Sequence, residues 1–344
     1  MKMIKPQKLN RGDTVALISP SWGCAGSARV AWKYKLGCER LKEIGLKVIS
    51  APNALKGTTY LRNHPEARAE DMMWAFTNPA VNGILCNIGG NDSERILPYL
   101  DPTVFVQNPK IFCGYSDAMS LHLFLNHLGL MTYYGDNLLT TIAEQSGWHP
   151  YSKAAFVKAF FDSTVVGTIL PSDEVSYSGN HHTSRTYAKE YVRHTGYQVI
   201  QGAGTARGKL IGGHGGLVEY RDDSMIKLTD ADFRNKLLFF EDIEQVCDYD
   251  YLQWFFRQLG QKGWLPLLSG VIIGQMRIGE NFSELSDAIK RVVSDEYGLF
   301  HMPVIYGLNI GHISPITILP YGAEARIRIV KGTADFAITE TIVC

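Results

Sequence analysis

The first 165 residues switch repeatedly between two spacings of apolar side chains. Short continuous runs are rich in β-branched residues and predict strands covered on both faces: TVALISP (14–20), KVISA (47–51), NGILCNI (82–88), KIFCGYS (110–116) and LMTYYG (130–135). Between them, ARVAWKYKLGCERLKEIG and PEARAEDMMWAFTN carry helical periodicity, and Ala118 to Leu128 predicts a further helix. Gly45 and Gly129 follow the last residues of their helices and suit the left-handed position just past a helix end. This alternation predicts an α/β fold, a doubly wound parallel sheet, over residues 1–168.

Residues 171–200, PSDEVSYSGNHHTSRTYAKEYVRHTGYQVI, break the pattern. They are polar, with no sustained period before Tyr197, and so long an irregular segment reads as a linker or a functional loop. The domain junction is placed here, at 169–200. Beyond it, GTARGKLIGGHGG, KLLFFED, SGVIIGQM, MPVIYGLNIGH and ARIRIV predict strands, while DYDYLQWFFRQLG and SELSDAIKRVVSDEYG predict helices. A smaller C-terminal α/β domain over 201–344 fits them.

Composition narrows the class. A chain of 344 residues exceeds what one core usually covers, in keeping with two domains. Thirty-four basic and 34 acidic residues cancel, which removes any bias towards nucleic acid or an anionic membrane. No apolar run reaches the roughly 18 residues of a spanning helix. The opening MKMIKPQKLNRGD has neither an apolar core nor a small-residue cleavage site, so no signal peptide is expected. Six cysteines without C-x-x-C spacing suit reduced, mostly buried thiols, and a cytoplasmic location is the expectation.

The chemistry concentrates at G-Y-S-D, where Ser116 stands between a strand and a helix with the small residues Gly114 and Ala118 on either side. A sharp strand-to-helix turn needs such small neighbours, lifts the hydroxyl clear of the sheet and aims backbone N–H groups at a developing oxyanion. Asp117 would supply one such N–H. By itself the motif is weak, because serine before a helix is commonly a cap. The pair Gly89-Gly90, after the strand ending near Ile88, permits close backbone approach to a reacting carbonyl. It reads equally as a turn that needs glycine.

A serine nucleophile needs a base and an orienting acid. Of ten histidines, His122 and His127 do not share a helix face, and one of them suits a core position. His181 and His182 fall in the polar segment. No H-x-x-x-H or H-E-x-x-H pattern exists, so a metal site lacks support. His312 in IYGLNIGHISP and Glu241 in KLLFFEDIEQ both stand at strand exits, where catalytic groups of α/β folds gather. Glu244 competes with Glu241 for the acid.

Taken in order and spacing, NRGDTVALISPS, GILCNIGGNDSERILPYLD, NPKIFCGYSDAMSL, KLIGG, LLFFEDIE and LNIGH resemble the LD-carboxypeptidase family of serine peptidases, which includes the microcin C immunity peptidases. The resemblance covers nearly the whole chain, and GYSD with the late G-H are its most specific parts. It implies a Ser-Glu-His triad at Ser116, Glu241 and His312, and an oxyanion hole from the N–H groups of Asp117 and Gly90. It also implies a homodimer that acts in the cytoplasm without metal or cofactor. The expected partner is a small peptide or peptidyl-nucleotide, with neither nucleic acid nor membrane involved.

There are two departures from the family pattern. Asn87 to Asn91 replace the usual R-G-G-Y-G, and His214 follows Gly213 where Asn or Cys is common. Length and the long 171–200 segment place the chain nearer the microcin-immunity branch, with a murein tetrapeptide enzyme as the alternative. Members of that branch can stack a loop Trp on a nucleotide base. No Trp lies between Trp148 and Trp254 here, so Tyr187 and Tyr191, with Gly89 and His214, are the candidate substrate contacts. A glutamine-amidotransferase-like site would need Cys at the turn, and Cys113 comes three residues early. A non-enzymatic two-domain binding protein would leave the late Glu and His unexplained.

Overall fold

A computed structural model describes residues 2–178, 184–220, 225–243, 246–276 and 282–344. The sequence candidates His181, His182 and Glu244 lie outside these residues. Each apolar run of the first half forms a strand: β1 (Thr14–Ile18), β2 (Lys47–Ser50), β3 (Gly83–Cys86), β4 (Ile111–Gly114) and β5 (Thr132–Tyr134). They pair in parallel in the order β5-β4-β3-β1-β2. The central β3 and β4 are buried throughout, which accounts for their unbroken apolar sequence.

Most strands stop short of the sequence runs because the last residues of each run leave the carboxyl edge of the sheet as loop. The strand order reverses between β1 and β3, a switch point at whose carboxyl edge open α/β sheets place their sites. Helices Ala31–Glu43 and Pro65–Thr77 occupy the predicted segments. Gly45 and Gly129 take φ of 94° and 84° past their helices.

The chain then adds β6 (Gly167–Thr168), β7 (Glu174–Val175), β8 (Val192–Arg193) and β9 (Gln198–Gln201). The later strands are β10 (Gly204–Gly213), β11 (Lys236–Phe240), β12 (Gly270–Gly274), β13 (Val304–Leu308), β14 (Leu319–Tyr321), β15 (Glu324–Val330) and β16 (Thr333–Ile338). A second sheet runs β6-β16-β15-β10-β11-β12-β13-β9. Its β10 to β13 are parallel, with antiparallel strands on both flanks. Among the described residues this sheet is the wider, eight strands against six, and it draws β6 and most of β9 from before residue 201. The sixth strand of the first sheet is β14, which crosses back to lie antiparallel beside β5.

The 171–200 segment is not irregular throughout. β7 and β8 pair, and Ser176 exchanges backbone hydrogen bonds of 2.7 and 3.0 Å with Ser314. Strands of two residues are too short to leave a period in the sequence.

Candidate active site

Ser116 adopts a φ of 64°, a left-handed conformation that a non-glycine residue takes only at a steric cost. Its surroundings explain the small residues nearby. A Cβ on Gly114 would lie 2.7 Å from Cys86 Sγ, and one on Gly89 would lie 2.8 Å from Ser116 Cβ. A Cβ on Gly90 would overlap Ser21 Oγ. The loops after β1, β3 and β4 therefore meet almost backbone to backbone.

The Asp117 carboxylate holds them together. It accepts hydrogen bonds from the Ser21 hydroxyl and from the N–H groups of Asp92 and Ser93 at 2.9 and 2.8 Å. The buried Arg68 adds a second tie, donating to Pro20 O at 3.0 Å and to Asp92 Oδ1 at 2.8 Å.

The second sheet delivers the other two groups. β11 runs into Glu241, which is 1% exposed, and β13 leads through Asn309 to Gly311 and His312. Gly311 has φ 78°, and a Cβ there would fall on the Glu241 carboxylate. His312 Nδ1 donates to Glu241 Oε2 at 2.8 Å, and His312 N–H donates to the same oxygen at 3.2 Å. His312 Nε2 lies 3.0 Å from Ser116 Oγ. The Tyr134 hydroxyl donates to the remaining oxygen, Glu241 Oε1, and accepts the Ser116 N–H at 3.1 Å.

Burial opposes the charge on Glu241, but the neighbouring His312 and the bonds from His312 and Tyr134 outweigh it. The carboxyl sits below its usual range. Burial lowers His312, but Glu241 raises it by more, leaving the imidazole above its usual value. His122, by contrast, is a core residue. It bridges Thr132 Oγ1 at 2.8 Å and Gly114 O at 2.9 Å, and burial pushes it down to about 4. His127 pairs with Asp232 at 3.0 Å.

Ser116 and His312 form one wall of a cavity of about 910 Å³, together with Gly90, Asp117 and His214. Three further carboxylates, Glu94, Glu219 and Asp242, line it, with Lys262 as a counter-charge. Gly89 faces a smaller pocket on another side of Ser116. Tyr187 and Tyr191 line neither space. Tyr191 instead reaches Ser314 Oγ at 3.0 Å, bracing the turn that follows His312, and the Tyr187 N–H donates to Ser184 Oγ at 3.0 Å.

The aromatic surface sought in the 171–200 loop comes from elsewhere: Trp254 of the helix Tyr249–Gln261 and Tyr220 line the large cavity. Sequence reasoning also missed Tyr134. Its place in the strand-like LMTYYG was the available signal, since a tyrosine at the end of a buried strand needs a partner for its hydroxyl.

A hydroxyl on a strained turn, beside an imidazole held by a buried carboxylate, can be deprotonated for attack on a carbonyl. Among the described residues, no group of three or more His, Cys, Asp or Glu side chains is arranged to hold a metal ion. No helix among them is long and apolar enough to cross a membrane.

Residues 15–135 match the LD-carboxypeptidase N-terminal domain, and residues 207–327 match the LD-carboxypeptidase C-terminal domain. The chain is 30% identical to a "Probable murein peptide carboxypeptidase" of Bacillus subtilis (strain 168), over 96% of this chain and 93% of the relative. It is 25% identical to the microcin C7 self-immunity protein MccF of Escherichia coli, over 96% and 94%. Among solved structures, it is similar to an MccF-like protein from Streptococcus pneumoniae in complex with AMP. That match has a TM-score of 0.84 at 28% identity, covering 95% of this chain and 99% of the other. The chain is thus a peptidase and belongs to the LD-carboxypeptidase family.

Proposed function

We propose that the protein hydrolyses an amide bond near the C-terminus of a small substrate through a Ser116-His312-Glu241 triad. The observation that carries this reading is the unbroken hydrogen-bond chain from Ser116 Oγ through His312 to Glu241, at the wall of a 910 Å³ cavity. In the first step Ser116 Oγ bonds to the substrate carbonyl carbon while its proton passes to His312 Nε2. Collapse of the tetrahedral adduct breaks the C–N bond, and His312 returns the proton to the leaving nitrogen. Water then repeats the sequence and frees Ser116.

Tyr134 already takes the Ser116 N–H, so the oxyanion is assigned to the N–H groups of Asp117 and Gly90, each contributing roughly 3–4 kcal/mol. The preferred substrate is a peptidyl-nucleotide or aminoacyl-adenylate analogue. The AMP-bound MccF-like relative supports this, as do Trp254 and Tyr220, whose rings can stack on a base. A second reading, a murein tetrapeptide, is favoured by the carboxylates Glu94, Glu219 and Asp242 in the cavity, which suit a substrate with a free amine. Comparing kcat/KM for a murein tetrapeptide and an aminoacyl-sulfamoyl adenylate decides between them. If neither is hydrolysed, the reading fails.

A further inference from the structure

The segment between the two domains touches both halves of the active site within a few residues. Lys189 stands in a polar stretch yet is only 9% exposed, and its Nζ lies 2.9 Å from Oε2 of the buried Glu144. A cation at that depth needs a paired carboxylate. Two more contacts fix the same stretch to the first domain. Gln145 Nε2 donates to Arg185 O at 2.8 Å, and the Arg185 guanidinium lies 5.7 Å from the centre of the Trp32 ring on the helix Ala31–Glu43.

The other end of the stretch reaches the second domain. The Tyr191 hydroxyl, two positions after Lys189, is 3.0 Å from Ser314 Oγ, and Ser176 is bridged to the Ser314 backbone. Ser314 comes two positions after His312. The footing on the first domain also belongs to the site. Glu144 closely follows the turn Leu138–Ile142, and Thr140 of that turn shares a pocket wall with Ser116 and His312. Arg40 donates to the carbonyls of Ile142 and Glu144 at 2.6 and 2.5 Å, which fixes Glu144 to the turn.

Three cations act on the Glu144 carboxylate. Burial lowers the Lys33 pKa to about 8, while Glu144 raises it and Lys189 and Arg40 lower it. Glu144 likewise raises Arg40 against the effect of burial. Without Lys189, Glu144 would still be balanced by Lys33 and Arg40. Neutralising Glu144 therefore does not require Lys189, and what Lys189 adds is the attachment of its own segment.

We infer that Lys189 and Glu144 are positioning residues for catalysis. They clamp the inter-domain segment to the first domain, and that segment, through Tyr191 and Ser176, holds the His312 turn at bonding distance from Ser116. This rests on the Ser116-His312 reading above. The two side chains come from different sheets, so the 3.0 Å between them is also a distance between sheets. The clamp sets it from outside the reacting groups.

The test uses the purified full chain and a fluorophosphonate. Its rate of attachment to Ser116 reports how well His312 takes the serine proton and does not depend on the natural substrate. Lys189→Met should slow labelling about tenfold, because misplacing a reacting pair by about 1 Å costs up to about 10²-fold. For whichever of the murein tetrapeptide and the aminoacyl-sulfamoyl adenylate the parent cleaves, kcat should fall by the same factor, with KM changed by less than about twofold. Lys189→Arg keeps the charge and should label within about threefold of the parent. Gln145→Ala removes only the bond to Arg185 and should slow labelling about two- to threefold. That variant carries the test if Lys189→Met does not fold. Labelling at the parent rate in folded Lys189→Met, or in Gln145→Ala in its place, overturns the clamp and leaves the triad standing. So does a loss confined to KM or to melting temperature. If Ser116 of the parent takes no fluorophosphonate, the triad reading falls and the clamp falls with it.

Discussion

The two sheets meet at one cleft but contribute different physics to it. From the first come backbone features: a serine at φ 64°, two glycines that permit contact, and loops tied by Asp117. From the second come charges: Glu241 at 1% exposure, the imidazole it holds, and Gly311, which leaves room for that carboxylate. A substitution on the first side acts mainly through shape, and one on the second through electrostatics. Tyr134 reaches into both, since its hydroxyl joins the Ser116 N–H to Glu241 alongside the direct bond between His312 and Ser116.

The largest effect tests the first side. Ser116→Ala should reduce kcat on the order of 10⁶-fold while the protein remains folded, because removing the nucleophile leaves only binding and oxyanion stabilisation. Retained activity with about 1 kcal/mol lost from stability would make Ser116 a helix cap instead.

On the second side, Glu241→Gln should cost about 10⁴-fold in kcat, as loss of the orienting carboxylate does in a serine protease. The pH profile gives an independent check. His312 must be neutral to accept a proton, and Glu241 holds its pKa above the ordinary 6.5, so activity should rise with pH through a midpoint above that value. Glu241→Gln should move the midpoint down. The same pair contributes to stability in a definite window. The Glu241 share is complete above the ordinary carboxyl value of 4.5 and is lost as pH falls through its lower folded value. The His312 share is complete below 6.5 and is lost as pH rises through its higher folded value.

Tyr134→Phe sharpens the comparison by cutting one of the links between the sides while leaving the His312–Ser116 bond. It strands Glu241 Oε1 and frees the Ser116 N–H, and a hydrogen bond to a charged group is worth about 1.5–3 kcal/mol. A drop of roughly 10- to 100-fold in kcat, with little change in KM, is expected from steady-state kinetics. Smallest of all should be Tyr191→Phe, which removes one hydrogen bond to Ser314 behind the His312 turn. A loss of about 1 kcal/mol in denaturant unfolding and less than tenfold in kcat/KM would mark Tyr191 as a brace. A large KM effect would return it to the substrate.

Local features were legible before the structure. β1 to β5 announced themselves because parallel central strands need unbroken apolar runs, and the small residues around Ser116 gave away its turn. Long-range partnerships left no such mark. β14 is three residues long and contains Pro320, so nothing in its own sequence says that it belongs to the first sheet. Tyr134 stood in the sequence only as one residue of the strand run LMTYYG, because its role depends on Glu241, 107 positions away. Tyr191 looked like a ligand contact for its chemistry, and its hydroxyl is taken by Ser314.

The return of β14 to the first sheet also bears on biosynthesis. A ribosome that has released residues up to 300 has emitted every parallel strand of the first sheet, yet β5 still has an unpaired edge. Nascent sheets with open edges are prone to pair with the wrong chain, and connections of such long range close slowly. The sheet that carries Ser116 thus completes only after Leu319–Tyr321 emerge.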